Sequence, residues 1–473
     1  MTEDRSLELS GDDLRRLIDS AARRILAYIA SLPEQPSADI RDPAGLARSL
    51  REALPESGAP VESLLDLLFE TVIPRGFNTA GPGYLAYIPG GGLPHAAVAD
   101  LIADATNRYV GVFAAAPGLA QIEANVVQWF CSIVGYPPGS GGILTTGGSL
   151  SNFSAIVAAR RDRLPGDFAR GTIYVSDQTH HSIQKAALLA GFPGGNVREI
   201  PSDGQFRLRM DALAGQVARD RAEGWKPFLV VGNAGTTNTG AVDHLEAIAD
   251  YAVQERLWFH ADAAYGGFFA LTERGRRRLT GMARADSVVL DPHKSLFLPY
   301  GNGSLLVRDP ATLKRAHAVS ADYMPEMQEE ADLLDFTLLS PELSRDWRGL
   351  RVWLPLKMHG IGPFRSNLDE KLDLAEWATG ELERMPGIEI VARPQLSIVA
   401  FRLVRPGLSL EETNGLNREL LKKTNARRRV YLTGTKLNGR FAIRICVLSF
   451  RTHRDRMEQG MEDLRAALAE LRS

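Results

Sequence analysis

KPFLVVGNAGTTNTGAVDHLEAIADYAVQERLWFHADAAYGG, residues 226–267, holds one full repeat of the pattern that governs the middle of the chain. The apolar run KPFLVV (226–231) ends in small and polar residues, HLEAIADYAVQE (244–255) has helical texture, and RLWFHADAA (256–264) is a second apolar run with the same kind of ending. Strands that are apolar throughout and alternate with helices belong to a mainly parallel sheet covered on both faces. The pattern continues in both directions. GGILTT (141–146), GTIYVSD (171–177), ADSVVLD (285–291) and GSLLVRD (303–309) read as further strands, with SNFSAIVAARRDRL (151–164) and HSIQKAALLAG (181–191) as helices between them. Ligands of such sheets lie beyond the carboxyl ends of the strands, so the polar residues there are the candidates for chemistry.

The flanks have a different texture. In SGDDLRRLIDSAARRILAYIA (10–30), Leu14, Leu17, Ile18, Ala21, Ala22, Ile25 and Tyr28 form a helical stripe, Ser10 and Asp13 suggest a capping box, and Pro33 ends the run. VESLLDLLFETVIP (61–74) is a second amphipathic stretch, and the Pro-rich SLPEQPSADIRDPAG (31–45) between them reads as connector. Two such helices make a poor core, so residues 1–80 are expected to form an arm that packs on the rest of the chain or on a second subunit. Residues 81–365 form the expected large domain. Beyond the helix-like SRDWRGLRVWLPLKMHG (344–360) and LDEKLDLAEWATGELERM (368–385), PQLSIVAFRLV (394–404) and GRFAIRICVLSF (439–450) read as antiparallel strands, and RDRMEQGMEDLRAALAELR (454–472) as a closing helix. Residues 366–473 are thus expected to be a small α+β domain.

Composition narrows the function class. Hydrophobic residues make up 44% and charged residues 24% of the 473, as in globular proteins, and the formal net charge of −2 gives no electrostatic reason to expect nucleic acid or an anionic membrane as partner. The two cysteines, Cys131 and Cys446, sit in apolar surroundings and read as buried thiols of a reducing compartment. The acidic, polar start and the lack of a long apolar run predict a cytoplasmic protein.

Several strand-end residues fit one ligand. Lys294, directly after ADSVVLDPH, is placed for the partial desolvation that favours a neutral, nucleophilic amine. Asp262 could keep a ring nitrogen protonated, beside small residues that admit a flat ring. Gly147, Gly148 and Ser149, in TTGGSLSN (145–152), open a helix whose unpaired N–H groups can cradle a phosphate. His180 could stack on a planar group. Thr236 or Thr237, in GNAGTTNTG (232–240), could hydrogen-bond a ring substituent. Each has a bland alternative: a strand-end lysine, a helix-capping aspartate, a plain turn. His180, His181 and His260 lack carboxylates or cysteines at metal-ligand spacing, so no metal is expected. An anionic group, a ring nitrogen, a ring face and an aldehyde together describe pyridoxal 5′-phosphate.

The chain resembles the group II pyridoxal-phosphate-dependent decarboxylases, and among them the aromatic-L-amino-acid decarboxylases. The resemblance rests on GYLAYIPGGG (83–92), AAAPGLAQIEANVVQWF (114–130), TTGGSLSNFSAIVAARR, YVSDQTHHS, GTT, HADAAYGG, ADSVVLDPHKSL, LSRDWRGLRVW (343–353) and FAIRICVLSFRTHRD (441–455). It implies the type I, aspartate-aminotransferase-like α/β fold, as a homodimer with sites at the subunit interface. It further implies Lys294 as the lysine that condenses with the cofactor aldehyde, Asp262 at the pyridine nitrogen, His180 on the ring and Gly148 with Ser149 at the phosphate. Thr236 and His293 are implied as further cofactor contacts. The family's mobile loop matches HAVSADYMPEMQEE (317–330), with Tyr323 in the place of the proton-donating tyrosine. Two departures from the pattern stand out: Gly90, Gly91 and Gly92 follow Tyr87-Ile88-Pro89 where the resembled family commonly has a threonine, and Phe113 stands for a tryptophan. Both bear on the substrate rather than the cofactor. The expected reaction is decarboxylation of an aromatic L-amino acid, with an aldehyde synthase or a lyase for non-aromatic amino acids as rivals. A silent scaffold would need none of these residues.

Overall fold

The computed structural model describes residues 7–164, 166–319, 330 and 332–471. Its centre is a seven-stranded sheet of β1 (Gly141–Thr145), β2 (Gly171–Ser176), β3 (Val197–Ile200), β4 (Lys226–Asn233), β5 (Trp258–Asp262), β6 (Ser287–Leu290) and β7 (Gly303–Val307), in the order β1-β7-β6-β5-β4-β2-β3. The run β6-β5-β4-β2-β3 is parallel throughout, as the strand–helix alternation predicts. Both faces are buried. Val230 and Phe259 pack into the core on one side, and Leu229, Val231 and Trp258 into the core on the other. One strand runs the other way: β7 is antiparallel to both β6 and β1. An apolar run carries no mark of its direction, and GSLLVRD looked like its neighbours.

The second sheet is antiparallel, β8 (Ile388–Ala392), β9 (Ile398–Leu403), β10 (Thr433–Leu437) and β11 (Arg440–Cys446), in the order β8-β9-β11-β10. PQLSIVAFRLV and GRFAIRICVLSF pair directly as β9 and β11. Val399, Phe401, Ile443 and Ile445 bury one face against Leu374, Ala378 and Leu382 of helix Gly362–Glu383 and Met457, Met461 and Leu464 of helix Arg454–Glu470.

The N-terminal helix Gly11–Ser31 buries only Ser20, and Leu14, Ile18, Ile25 and Leu26 stay exposed. Its cap is half a capping box. Ser10 Oγ accepts from the Asp13 N–H at 3.1 Å, but the Asp13 carboxylate bonds the Ser10 hydroxyl instead of reaching back to its N–H. Aspartate is one methylene shorter than the glutamate such a box prefers. The complete box is at Ser409 and Glu412. The expected connector is also partly ordered, since Asp42 caps a short helix, Pro43–Ser49, with proline at its first position. Helix Val61–Asp66 runs on as a π-helical turn, Leu67–Val72, before Pro74. Among the described residues no helix is long and apolar enough to cross a membrane.

Candidate active site

Parallel strands that end on the same edge bring distant residues together. Gly147, Gly148, Ser149, His180, Thr236, Thr237, Asp262, His293 and Lys294 all line one cavity of about 400 Å³ at the carboxyl ends of β1, β2, β4, β5 and β6. That volume is in the range of small-molecule sites. His181 lines a neighbouring cavity that shares His180 and Thr237. Tyr323 lies outside the described residues.

The glycine-rich turn follows β1 and opens helix Gly148–Arg163. Its first N–H groups have no acceptor within the helix, which makes the turn a place for an anion. The cradle is tight. A Cβ on Gly148 would lie 2.9 Å from Asp291 Oδ2, and one on Gly303, at the start of β7, 2.5 Å from Gly147 Cα.

Lys294 Nζ sits 2.9 Å from Asp291 Oδ2, and Asp291 is almost fully buried. Burial disfavours the ammonium, but the Asp291 and Asp262 carboxylates outweigh it and hold the amine above its ordinary value. Desolvation, the largest single influence and the one expected from the sequence, is thus outweighed by the two carboxylates acting together. Asp291 also keeps Oδ1 buried without a hydrogen-bond partner, facing the glycine cradle. His293 is turned by Nδ1 to the Asn302 carbonyl oxygen at 2.6 Å.

Asp262 ends β5. Its Oδ1 accepts from the Ala264 N–H at 3.2 Å and its Oδ2 from Asn152 Nδ2 at 3.3 Å. His180 lies two residues before helix Ser182–Leu189, with Nδ1 2.8 Å from Ser182 Oγ. Burial pushes the imidazole below its ordinary value, with Asp262 opposing and Lys294 and His181 adding to the shift. Thr236 is buried, its hydroxyl bonded to Thr239 Oγ1 at 2.8 Å.

Sequence reasoning missed Asn152, Ser182, Asn233 and Asp291, all of which line the cavity. Asp291 could have been found by its place three residues before Lys294, one turn away in a tight bend. His260 was weighed only as a metal ligand. It is fully buried between Asn152 and Ser287, and among the described residues no cluster of three His, Cys, Asp or Glu could hold a metal.

The residues fit pyridoxal 5′-phosphate: one cavity holds a glycine cradle and helix start for the phosphate, a carboxylate for the ring nitrogen and a lysine amine for the aldehyde. The model of a conserved pyridoxal-dependent decarboxylase domain matches residues 43–404. The chain belongs to the pyridoxal-dependent decarboxylase family. This decarboxylase is 35% identical over 468 residues to an aromatic-L-amino-acid decarboxylase of Bacillus atrophaeus, covering 98% of each chain. Its fold matches Oryza sativa TDC, solved with PLP and tryptamine, with a TM-score of 0.93 at 26% identity, over 98% of this chain and 99% of that one. It matches Catharanthus roseus tryptophan decarboxylase, solved in complex with L-tryptophan, with a TM-score of 0.92 at 26% identity, over 98% and 100%. The decarboxylase is therefore a pyridoxal-phosphate-dependent carboxy-lyase of fold type I.

Proposed function

We propose that the enzyme removes the α-carboxyl group of an aromatic L-amino acid as carbon dioxide and releases the amine. The observation that carries this reading is the meeting of Lys294, Asp262, His180 and the Gly148 helix start in one cavity. The aromatic substrate rests on the relatives, which are named for aromatic amino acids.

In this reading Lys294 would hold the cofactor covalently through Nζ, Gly148 and Ser149 its phosphate, Asp262 its ring nitrogen and His180 its ring face, with Thr236 and His293 completing the wall. When bound, the cofactor would supply an electron-withdrawing ring, a sink for the electron pair that the departing carboxyl leaves behind. Asp262 would keep the ring nitrogen protonated, because an opposite charge in a buried site favours the charged form. His180 helps to orient the carboxyl group away from water. Tyr323, assigned from sequence alone, returns a proton to the α-carbon.

We further propose a homodimer, with residues 1–80 as the arm, 81–365 as the large domain and 366–473 as the small one. Exposed Leu14, Ile18, Ile25 and Leu26 on the first helix, with Leu64, Leu67 and Leu68 on the second, form an apolar face that a second subunit would cover. Cytoplasmic residence is supported by the free, buried thiols of Cys131 and Cys446.

The test is incubation of the pure, cofactor-loaded enzyme with a panel of amino acids, following carbon dioxide, amine, aldehyde and hydrogen peroxide together. Amine and carbon dioxide in equal amounts from aromatic substrates are expected. Peroxide with aldehyde would make it an aldehyde synthase. Tyr323→Phe should lose amine formation, and intact amine yield without aldehyde would remove that assignment.

A further inference from the structure

Buried polar groups to which the reaction assigns no part, some behind the cavity and some in its wall, link Asp262 to His180 in a continuous chain. Strand alternation puts Trp258, His260 and Asp262 on one face of β5, and Ser287 of β6 is the register partner of His260. Trp258 Nε1 donates to Ser287 Oγ at 2.8 Å, and Ser287 Oγ lies 2.7 Å from His260 Nδ1. His260 Nε2 lies 2.9 Å from Asn152 Oδ1. Asn152 Nδ2 then branches, to Asp262 Oδ2 at 3.3 Å and to Ser182 Oγ at 2.9 Å. Ser182 Oγ lies 2.8 Å from His180 Nδ1, and the Ser182 N–H points at the same nitrogen from 3.3 Å.

The Asp262 end fixes the direction of the bonds through Asn152 and His260, and the Trp258 end is compatible with it. An indole N–H can only donate, so Ser287 Oγ accepts from Trp258, which leaves its hydroxyl proton free for His260 Nδ1. His260 is fully buried, and burial pushes its pKa down to about 4, so it is neutral and carries one ring proton. From the other side, the Asp262 carboxylate accepts, so only the amide NH2 of Asn152 can face it. Asn152 Oδ1 therefore faces His260 Nε2, which must carry the ring proton, and His260 Nδ1 accepts from Ser287. Ser182 Oγ accepts from the Asn152 NH2, and because the Ser182 N–H already donates to His180 Nδ1, the hydroxyl proton goes to the same nitrogen. His180 Nδ1 thus receives two donors and has no place for a proton of its own.

We infer that this one-way hydrogen-bond chain, with Asn152 as its branch point, fixes His180 as the Nε2–H tautomer and holds the Asp262 carboxylate in the same step. Asn152, His260, Ser182 and Ser287 are positioning residues. Through them His180 offers the cavity an N–H donor at Nε2 rather than an acceptor, suited to a ligand's carboxylate or phenolate oxygen. The inference deepens the proposed site, but its core claim concerns a tautomer and stands apart from any turnover.

The experiment is nitrogen-15 NMR of cofactor-loaded enzyme labelled at histidine, with His180 assigned by the signal lost in His180→Gln. Pyridine-type and N–H-bearing ring nitrogens are well separated in shift. The expected wild-type result is a pyridine-type Nδ1 and a protonated Nε2 at His180. In Asn152→Leu, which keeps the bulk and removes the amide, Ser182 loses its donor, and the His180 signals should move towards a mixture of tautomers. An Nδ1–H tautomer in the wild type, or an unchanged His180 spectrum in folded Asn152→Leu, overturns the inference. If Asn152→Leu does not fold, the wild-type tautomer alone decides. Correct tautomers in an enzyme that decarboxylates nothing would sink the proposed function and leave this inference standing.

Discussion

Gly90 lies in a turn packed so closely on the lysine loop that a side chain there has no room. A Cβ added there would lie 2.2 Å from the His293 carbonyl oxygen and 2.8 Å from that of Lys294. The same turn is tied to the lysine loop by the Leu93 N–H, which donates to the Phe297 carbonyl at 2.8 Å. In Gly90→Ala the two backbones must separate by roughly 1 Å to restore ordinary contact, in an interior packed too densely to absorb it. Overpacking of this kind costs about 1–3 kcal/mol of stability. The larger effect is on chemistry, because a displacement of about 1 Å at a reacting group lowers the rate by about 100-fold. Gly92 is the control. It has a φ of +66°, but its added Cβ would meet only Pro299 Cα, at 3.9 Å. Gly92→Ala thus carries a conformational cost of about 1–2 kcal/mol without pushing on Lys294. The assay compares kcat/KM, thermal stability and the fraction of Lys294 fixed to the cofactor by borohydride, read by peptide mass mapping. Gly90→Ala should lose fixation and about two orders of magnitude in kcat/KM, while Gly92→Ala loses stability with fixation retained. Wild-type fixation and kcat/KM in Gly90→Ala would refute the steric argument.

Asp262→Asn removes the carboxylate from the proposed ring nitrogen contact. A lost charge-assisted hydrogen bond of about 1.5–3 kcal/mol should weaken cofactor binding by roughly 10- to 150-fold, measured by equilibrium titration of apoenzyme, and unchanged affinity would count against the role. Glu123→Ala should destabilise the fold by about 3–5 kcal/mol in urea unfolding, because Arg345, 2.6 Å away and also fully buried, is left without its counter-charge. Burial pushes both His260 and His317 down to about 4. The unfolded chain takes up protons there below about pH 6.5 that the folded one refuses, so stability present above that pH falls away as pH drops towards 4, by about 3 kcal/mol per group at the limit. Urea midpoints should therefore fall between pH 7 and pH 5, less steeply in His317→Gln, and equal slopes would exclude His317 as a source.

The strand ends were legible because their grammar is local: an apolar run followed by a small or polar residue, then a helix start. Lys294, Asp262, His180 and the Gly147–Gly148 turn all carry that signal. What was not legible depends on neighbours in space. His260 sits two residues before Asp262, and this spacing in a strand puts both on one face, but nothing in the sequence says that Asn152 lies over them. Asn152 is in the interior of helix Gly148–Arg163, where asparagine is a poor helix former, and that mismatch was the one available hint. The charge state of Lys294 was misread for a related reason. Desolvation follows from a buried strand end, but the opposing carboxylate depends on a bend that folds Asp291 back to 2.9 Å.

The reversed strand is where fold and site meet most closely. A parallel β7 would have delivered its far end to the cavity edge. Because it runs antiparallel to β1, Gly303 starts at that edge, paired with Thr145 at the end of β1. Its missing Cβ lets it approach Gly147 Cα to a distance that no side chain would allow, and Asn302 just before it holds His293 through its carbonyl oxygen. The cradle is thus closed from two sides by strands of opposite direction, β1 entering it and β7 leaving it. Glycine at 303 is required by this topology as much as glycine at 148 is required by the Asp291 carboxylate beside it. The local sequence GNGSLL shows the residue, and only the strand's direction explains it.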